Sequence, residues 1–241
     1  MIQKTLKTLT GKIVVTIPGT LQELKLGQLM AMQAAEHLDD LQAIHILSGV
    51  PIAELNQVQS FADLHVFNEH VLTLATQIKE LYNSDAIPKT ITFTINQTVK
   101  KVKVINNLSV EPAGAFMASR DIIADEISRH INEHGDADWK NTFNPSLKTC
   151  SQVLAHYFYN KVTGLPYDEQ QAAEFTKHIE ELPVADALPI AKYFFLNYPN
   201  LSKPRTSFWH RLHQFWNSAL AYASLKVSAT STQLMRLPEE I

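Results

Sequence analysis

His130, Glu133 and His134 are the residues whose types and spacing could do chemistry. In His130-Ile131-Asn132-Glu133-His134 they follow the H-x-x-E-H order of inverted zincins. On a helix, imidazoles four residues apart share a face and can reach one Zn²⁺, with Glu133 as general base toward a metal-bound water. That chemistry needs a third protein ligand. Glu180 and Glu181 qualify by type, and nothing in the sequence selects either. Gly135 follows at once, and histidines at a helix C-terminus complement the macrodipole without a metal. The chain holds ten histidines, so this spacing also arises by chance. The balance predicts no metal and no cofactor. A small zinc-dependent hydrolase built on His130, Glu133 and His134 is the enzymatic alternative to a protein that catalyses nothing.

Other chemical signals are weaker. Asp136 and Asp138 resemble the start of a calcium loop, but Lys140 stands at the next ligand position, so a solvated loop is expected. No glycine-rich phosphate loop is present, and Ser48-Gly49 lacks the upstream glycine of a nucleophile elbow. The single cysteine, Cys150, excludes an internal disulfide and a multi-cysteine zinc site, and it fits a reducing compartment. It lies in the apolar run Leu147 to Tyr159 and reads as a small buried hydrophobe. Lys100, Lys101 and Lys103 could meet phosphates, yet no cluster of exposed aromatics accompanies them as a single-strand reader requires. A formal net charge of −3 supplies no global attraction for nucleic acid, so none is expected as a partner.

Arg205 to Lys226 offers contact rather than chemistry. Phe208, Leu212, Phe215 and Trp216 occupy one helical stripe, with Trp209 beside them and Arg205, His210, Arg211 and His213 close by. Such a helix can pack on its own domain, dock on a partner through tryptophan anchors, or lie on a membrane surface. Only two arginines and a lysine are firmly charged there, which ranks the membrane last. Phe208, Trp209, Leu212, Phe215 and Trp216 are the predicted partner-binding residues.

The elements that must position these residues follow from periodicity. Lys4 to Ile17 alternates and is rich in Thr, Val and Ile, with Thr10-Gly11 as a hairpin turn. Leu26, Leu29, Met30 and Gln33 then keep helical spacing within Leu24 to Glu36. Asp39 or Asp40 caps a second helix that Gly49 and Pro51 stop. Ser60 caps a third, Phe61 to Tyr82, with Leu64, Phe67, Val71, Leu74 and Ile78 on one face. Alternation returns at Thr90, with Asn96-Gln97 as the turn and lysines on the second strand, where they also discourage edge aggregation. Pro112 opens a helix to about His134 whose expected buried set is Phe116, Ile122, Ile123, Ile127 and Ile131. Gly135 to Thr142 reads as a loop carrying Trp139. Asn144-Pro145 predicts the next helix start. Asp168 predicts a helix ending near Leu182, and Pro183 another that Pro189 interrupts early. Residues 199–204 form the best linker, and the tail from Ser228 reads as loose.

Two stretches read alike: Ile46-Leu-Ser-Gly-Val-Pro51 and Lys161-Val-Thr-Gly-Leu-Pro166. Each lies downstream of a β-rich segment. The predicted fold is therefore α+β and helix-dominated, with small β-hairpins or one small sheet followed by helices and a pseudo-duplicated plan. The expected parts are residues 1–85, 86–200 and a C-terminal helix with loose tail at 201–241. With 241 residues, 45% hydrophobic and 19% charged, the chain can bury one large or two small cores. The N-terminus lacks the unbroken apolar stretch of a signal peptide, and no window approaches the ~20 apolar residues of a membrane span, which predicts a soluble intracellular protein.

The run Ala155-His-Tyr-Phe-Tyr-Asn-Lys-Val-Thr-Gly-Leu-Pro-Tyr-Asp168, then Ile179-Glu-Glu-Leu-Pro-Val-Ala-Asp-Ala-Leu-Pro-Ile-Ala-Lys-Tyr-Phe-Phe195, resembles small proteins encoded among tail genes of Bacteroidetes-type tailed phages and prophages. Leu24-Lys-Leu-Gly-Gln-Leu-Met-Ala-Met-Gln33 and Ala43-Ile-His-Ile-Leu-Ser-Gly-Val-Pro51 look like the strand, helix and glycine–proline break of the same group. The resemblance covers most of residues 1–200 and carries over no catalytic residue. It implies a tail assembly chaperone or minor tail protein that acts by protein–protein contact. Implied partners are other tail proteins, such as a tape-measure protein, with homo-oligomerisation left open. The implied location is the bacterial host cytoplasm during assembly, or the virion if the protein is a retained structural subunit. The aromatic helix at Arg205 to Lys226 has no counterpart in that pattern.

Overall fold

The structure, a computed structural model, describes residues 1–35, 38–83, 86–104, 111–135, 139, 143 and 145–201. The predicted partner-binding residues Phe208, Trp209, Leu212, Phe215 and Trp216, and the acidic pair Asp136 and Asp138 with Lys140, lie outside the described residues. The chain divides into two compact units, Met1–Asn197 and Tyr198–Ile241, and the first holds both hairpins and the H-x-x-E-H run.

The fold is α+β and dominated by helix. The order of hairpin followed by helices occurs twice. Strands β1 (Ile2–Thr8) and β2 (Gly11–Ile17) pair antiparallel from Ile2↔Ile17 to Thr8↔Gly11. Their period of two sends Leu6, Val15 and Ile17 inward and leaves Thr5 and Val14 outside. Lys4 is on the inward side and reaches the Asp63 carboxylate at 2.9 Å, tying the hairpin to the helix behind it.

Helices α1 (Leu26–Ala34), α2 (Asp40–Ser48), α3 (Ile52–Leu55) and α4 (Phe61–Asn83) follow. The Asp39 carboxylate accepts the Gln42 N–H at 2.7 Å and caps α2 as expected. The short α3 is additional to the sequence expectation. It bridges the glycine–proline break and buries Leu55.

The second round begins with β3 (Thr90–Ile95) and β4 (Thr98–Lys103). Asn96 and Gln97 form the two-residue turn with φ of 48° and 64°, the conformation such a hairpin needs. Phe93 points inward, 5.3 Å from the Phe158 ring centroid and 5.9 Å from that of Phe175. Helix α5 (Ala113–His134) follows Pro112, and α6 (Leu147–Thr163) packs against it.

Four expectations need correction. Ser146, not Asn144-Pro145, caps α6, accepting the Thr149 N–H at 3.1 Å. The segment after Asp168 is two short helices, α7 (Glu169–Glu174) and α8 (Thr176–Glu180), joined at the buried Phe175. Helix α9 (Val184–Leu201) runs through Pro189. The ring removes one hydrogen bond, and burial of Leu188, Ile190, Phe194 and Phe195 offsets that loss. In α5 the buried face is Ala115, Ser119, Ile123, Glu126, Ile127 and His130, so Phe116, Ile122 and Ile131 are only half-buried. The buried Glu126 on this face finds its donors at the start of α6, in the Ser146 N–H and the Thr149 hydroxyl.

The alike stretches are the same structure. Gly49 and Gly164 both end helices in the left-handed region, at φ 75° and 74°. Each donates its N–H to the fourth residue back, His45 or Asn160, at 2.8 Å. The hydroxyls of Ser48 and Thr163 donate to the carbonyls of Ile44 and Tyr159, at 2.6 and 2.7 Å. They then accept the N–H groups of Val50 and Leu165.

Segments far apart in the chain also interlock. Leu26 donates to the Leu182 carbonyl at 2.9 Å, and Val184 donates to the Leu24 carbonyl at 2.8 Å. Gly27 allows this approach, since a Cβ there would lie 3.2 Å from the Glu180 carbonyl oxygen. Lys25 and Glu181 close the crossing with an ion pair.

Candidate functional site

His130 and His134 share a face of α5, as their spacing predicts. Their rings are stacked, with centroids 4.5 Å apart and planes 21° from parallel. His134 Nδ1 lies 3.1 Å from the His130 carbonyl oxygen, within hydrogen-bond reach. Phe143 meets His130 edge-on at 5.4 Å. Glu133 turns away along the helix, where both its oxygens accept from Arg129 Nη1 at 3.1 Å. Glu180 and Glu181 lie at the crossing with α1, and Glu181 pairs with Lys25. Among the described residues, no group of three or more His, Cys, Asp or Glu side chains could hold a metal ion.

The acid that organises this region is Glu126. It is buried and accepts from the Ser146 N–H at 2.6 Å, the Thr149 hydroxyl at 3.1 Å and Arg129 Nη2 at 2.8 Å. Burial alone would raise its pKa, but these donors together hold the carboxyl below the usual carboxylate range. The carboxylate thus sits at the N-terminus of α6, where backbone N–H groups lack intrahelical partners. Cys150, one turn on, is buried, and burial with the nearby Glu126 charge pushes its thiol up to about 12. A thiol so placed is inert. The sequence signal for Glu126 was Arg129 set three residues after one acid and four before another, a ladder that marks a helix face without saying it is buried.

Two further polar clusters sit on α6. Lys161 Nζ lies 3.2 Å from the Tyr157 ring centroid and 3.7 Å from a Glu111 carboxyl oxygen. Burial lowers its pKa to about 8, with Glu111 opposing. His156 Nδ1 is 2.8 Å from the Tyr167 hydroxyl, and the Tyr167 ring covers Gly114 so closely that a Cβ would stand 2.7 Å away. Burial first, then Glu169 and Asp168, pushes Tyr167 up to about 12. Both clusters tie the interior of the helical layer together.

Among the described residues, open grooves flank α1 on two sides. One, about 480 Å³, is lined by the charged and polar Lys25, Gln28, His45, Glu180 and Glu181 together with the apolar Ala31 and Ile46. The other, about 360 Å³, is lined by Leu29, Met32, Leu38, Ile78, Pro145 and Leu147. It lies between α1, α4 and the start of α6, and its lining side chains are mainly apolar, with Gln33 the polar one among them. Leu29 and Ile78 belong to the apolar stripes read from the sequence. Met32, Leu38 and Leu147 join them only because three separate segments meet here.

No helix of the described residues is long and apolar enough to cross a membrane. Comparison with known protein families, with curated proteins and with solved structures finds no match to this chain.

Proposed function

We propose that this protein works by holding other polypeptides, as a morphogenesis protein of tailed phages or prophages, and that its leading form is a tail assembly chaperone. The observation that carries this reading is the apolar groove between α1, α4 and α6. It is open, it falls at the lower end of the ~300–1,000 Å³ range of ligand sites, and its lining is mainly aliphatic, with Gln33 as a hydrogen-bonding side chain and no nucleophile, acid or base. An amphipathic helix laid into such a groove buries its own apolar face, a recurring mode of peptide recognition. The resemblance of most of residues 1–200 to small tail-gene products supports the same reading and points to an apolar helical segment, such as one from a tape-measure protein.

The test is affinity purification from cells making phage particles, with Met32→Glu as the groove variant. The wild type should bring down tail proteins, and M32E should lose them while melting as the wild type does. Purified particles that lack the protein indicate a chaperone, and particles that retain it indicate a structural subunit. A wild type that recovers no tail protein and is missing from particles ends the proposal.

A further inference from the structure

We propose that the outer edge of β4 is a docking strand for an extended, acidic segment of a protein partner. The inference rests on the reading of this protein as one that acts by contact, and it adds a place and a chemistry for one such contact.

The backbone supplies the first half. The pair closing the turn, Ile95↔Thr98, exchanges both hydrogen bonds, so alternate residues do the same up the ladder. Val99, Lys101 and Lys103 therefore aim their N–H and C=O groups away from β3. The sheet has two strands only, so no third strand of the described residues meets them. Five of the six β4 residues are exposed, against three of six in β3, so β4 is the more solvent-exposed strand of the pair. An unpaired row of this kind is a template for strand addition.

Charge supplies the second half. The two hairpins, taken as residues 2–17 and 89–104, hold seven of the chain's 21 lysines and arginines and none of its 24 aspartates and glutamates. Lys100 turns inward and donates to the Val162 carbonyl. Lys101 and Lys103 stay on the solvent face, opposite Thr92 and Thr90, and neither has an ion partner among the described residues. Val99 completes the row and is 66% exposed. A strand laid beside β4 would place side chains on that face at every second residue. Two acids would meet Lys101 and Lys103, and one apolar residue would meet Val99.

The same lysines select the occupant. A second β4 laid antiparallel would set ammonium groups against one another, so a copy of this chain is disfavoured. A helix cannot satisfy the row of outward backbone groups. The hairpin bears no arginine, and its one aromatic residue, Phe93, is buried, which removes the usual means of holding a nucleic acid through its bases.

The full-length ¹⁵N-labelled protein is titrated with a synthetic decapeptide that alternates glutamate and threonine around one valine. Amides of Val99, Lys101 and Lys103 should shift and become protected from hydrogen exchange. The K101E/K103E protein should bind at least about tenfold more weakly. No response at millimolar peptide would overturn the proposal. So would an equal response to a thymidine decanucleotide or to random-coil polyglutamate without amide protection, which would mean a plain cationic surface. If K101E/K103E still enters tail complexes, contact function stands and this edge falls. If the wild type binds the peptide but enters no tail complex, the edge stands and the morphogenesis reading falls.

Discussion

The two hairpins are built from the same residues and end in different situations. Both alternate Thr, Val, Ile and Lys, and both bury one face against helices. At β1 the chain itself returns: Gln59 donates to the Lys7 carbonyl at 3.0 Å, and Leu9 donates to the Gln57 carbonyl at 3.0 Å. Its edge is thereby covered at the turn end, although Lys7 and Lys12 face each other across the ladder. No such segment among the described residues meets β4. A hairpin whose edge is closed serves the fold, whereas one left open with unpaired lysines has a surface to offer.

The largest effect should come from the side the hairpins share. Phe93→Ala removes the ring that meets Phe158 and Phe175 and should cost about 3–5 kcal/mol in urea unfolding, with Leu6→Ala at about 2–5 kcal/mol. A cost below about 1 kcal/mol for either would mean that hairpin is not anchored in the core. Proline scanning sharpens the edge difference. Lys100→Pro deletes an N–H that pairs with Phe93 and should cost about 3 kcal/mol, whereas Lys101→Pro deletes an outward N–H and should cost well under that. Equal losses would show that the β4 edge is occupied.

The glycine breaks test the repeat. Gly49→Ala and Gly164→Ala place a Cβ in the left-handed region and should each cost about 1 kcal/mol. Unequal costs would mean that one turn is held by its surroundings rather than by its own geometry.

The smallest effect is with pH. Burial lowers the His156 pKa in the folded state, with Glu169 opposing. The unfolded chain then takes the proton first as pH falls, so stability is full above about pH 6.5 and declines below it. His156→Gln should flatten that decline between about pH 6.5 and pH 5 in thermal melts, and an unchanged slope would remove His156 as its source.

Much of the fold was legible because its rules are local. Strand alternation, the Asn96-Gln97 turn, the Asp39 and Asp168 caps and the Gly49 and Gly164 stops depend on neighbours within about five residues. The Pro189 passage was not legible, because the apolar burial that outweighs its missing hydrogen bond comes from other helices. Nor was the polar face of α5. Glu126 reads as a surface acid until Ser146 and Thr149, about 20 residues on, arrive as donors. The H-x-x-E-H spacing put both imidazoles on one face as read, but Arg129 claims Glu133, a competition that the motif does not encode.

By itself the sequence determined both hairpins, the Asp39 and Asp168 caps and the stops at Gly49 and Gly164, because capping and period are carried by adjacent residues. It also determined that both hairpins are free of acidic residues. Tertiary structure alone decided which hairpin edge is closed by residues 57–59 and which is open. It alone assembled Leu29, Ile78 and Leu147 into one groove and brought Leu24 beside Val184. Those outcomes depend on segments up to 160 residues apart meeting in space, and a one-dimensional pattern holds no distance between them.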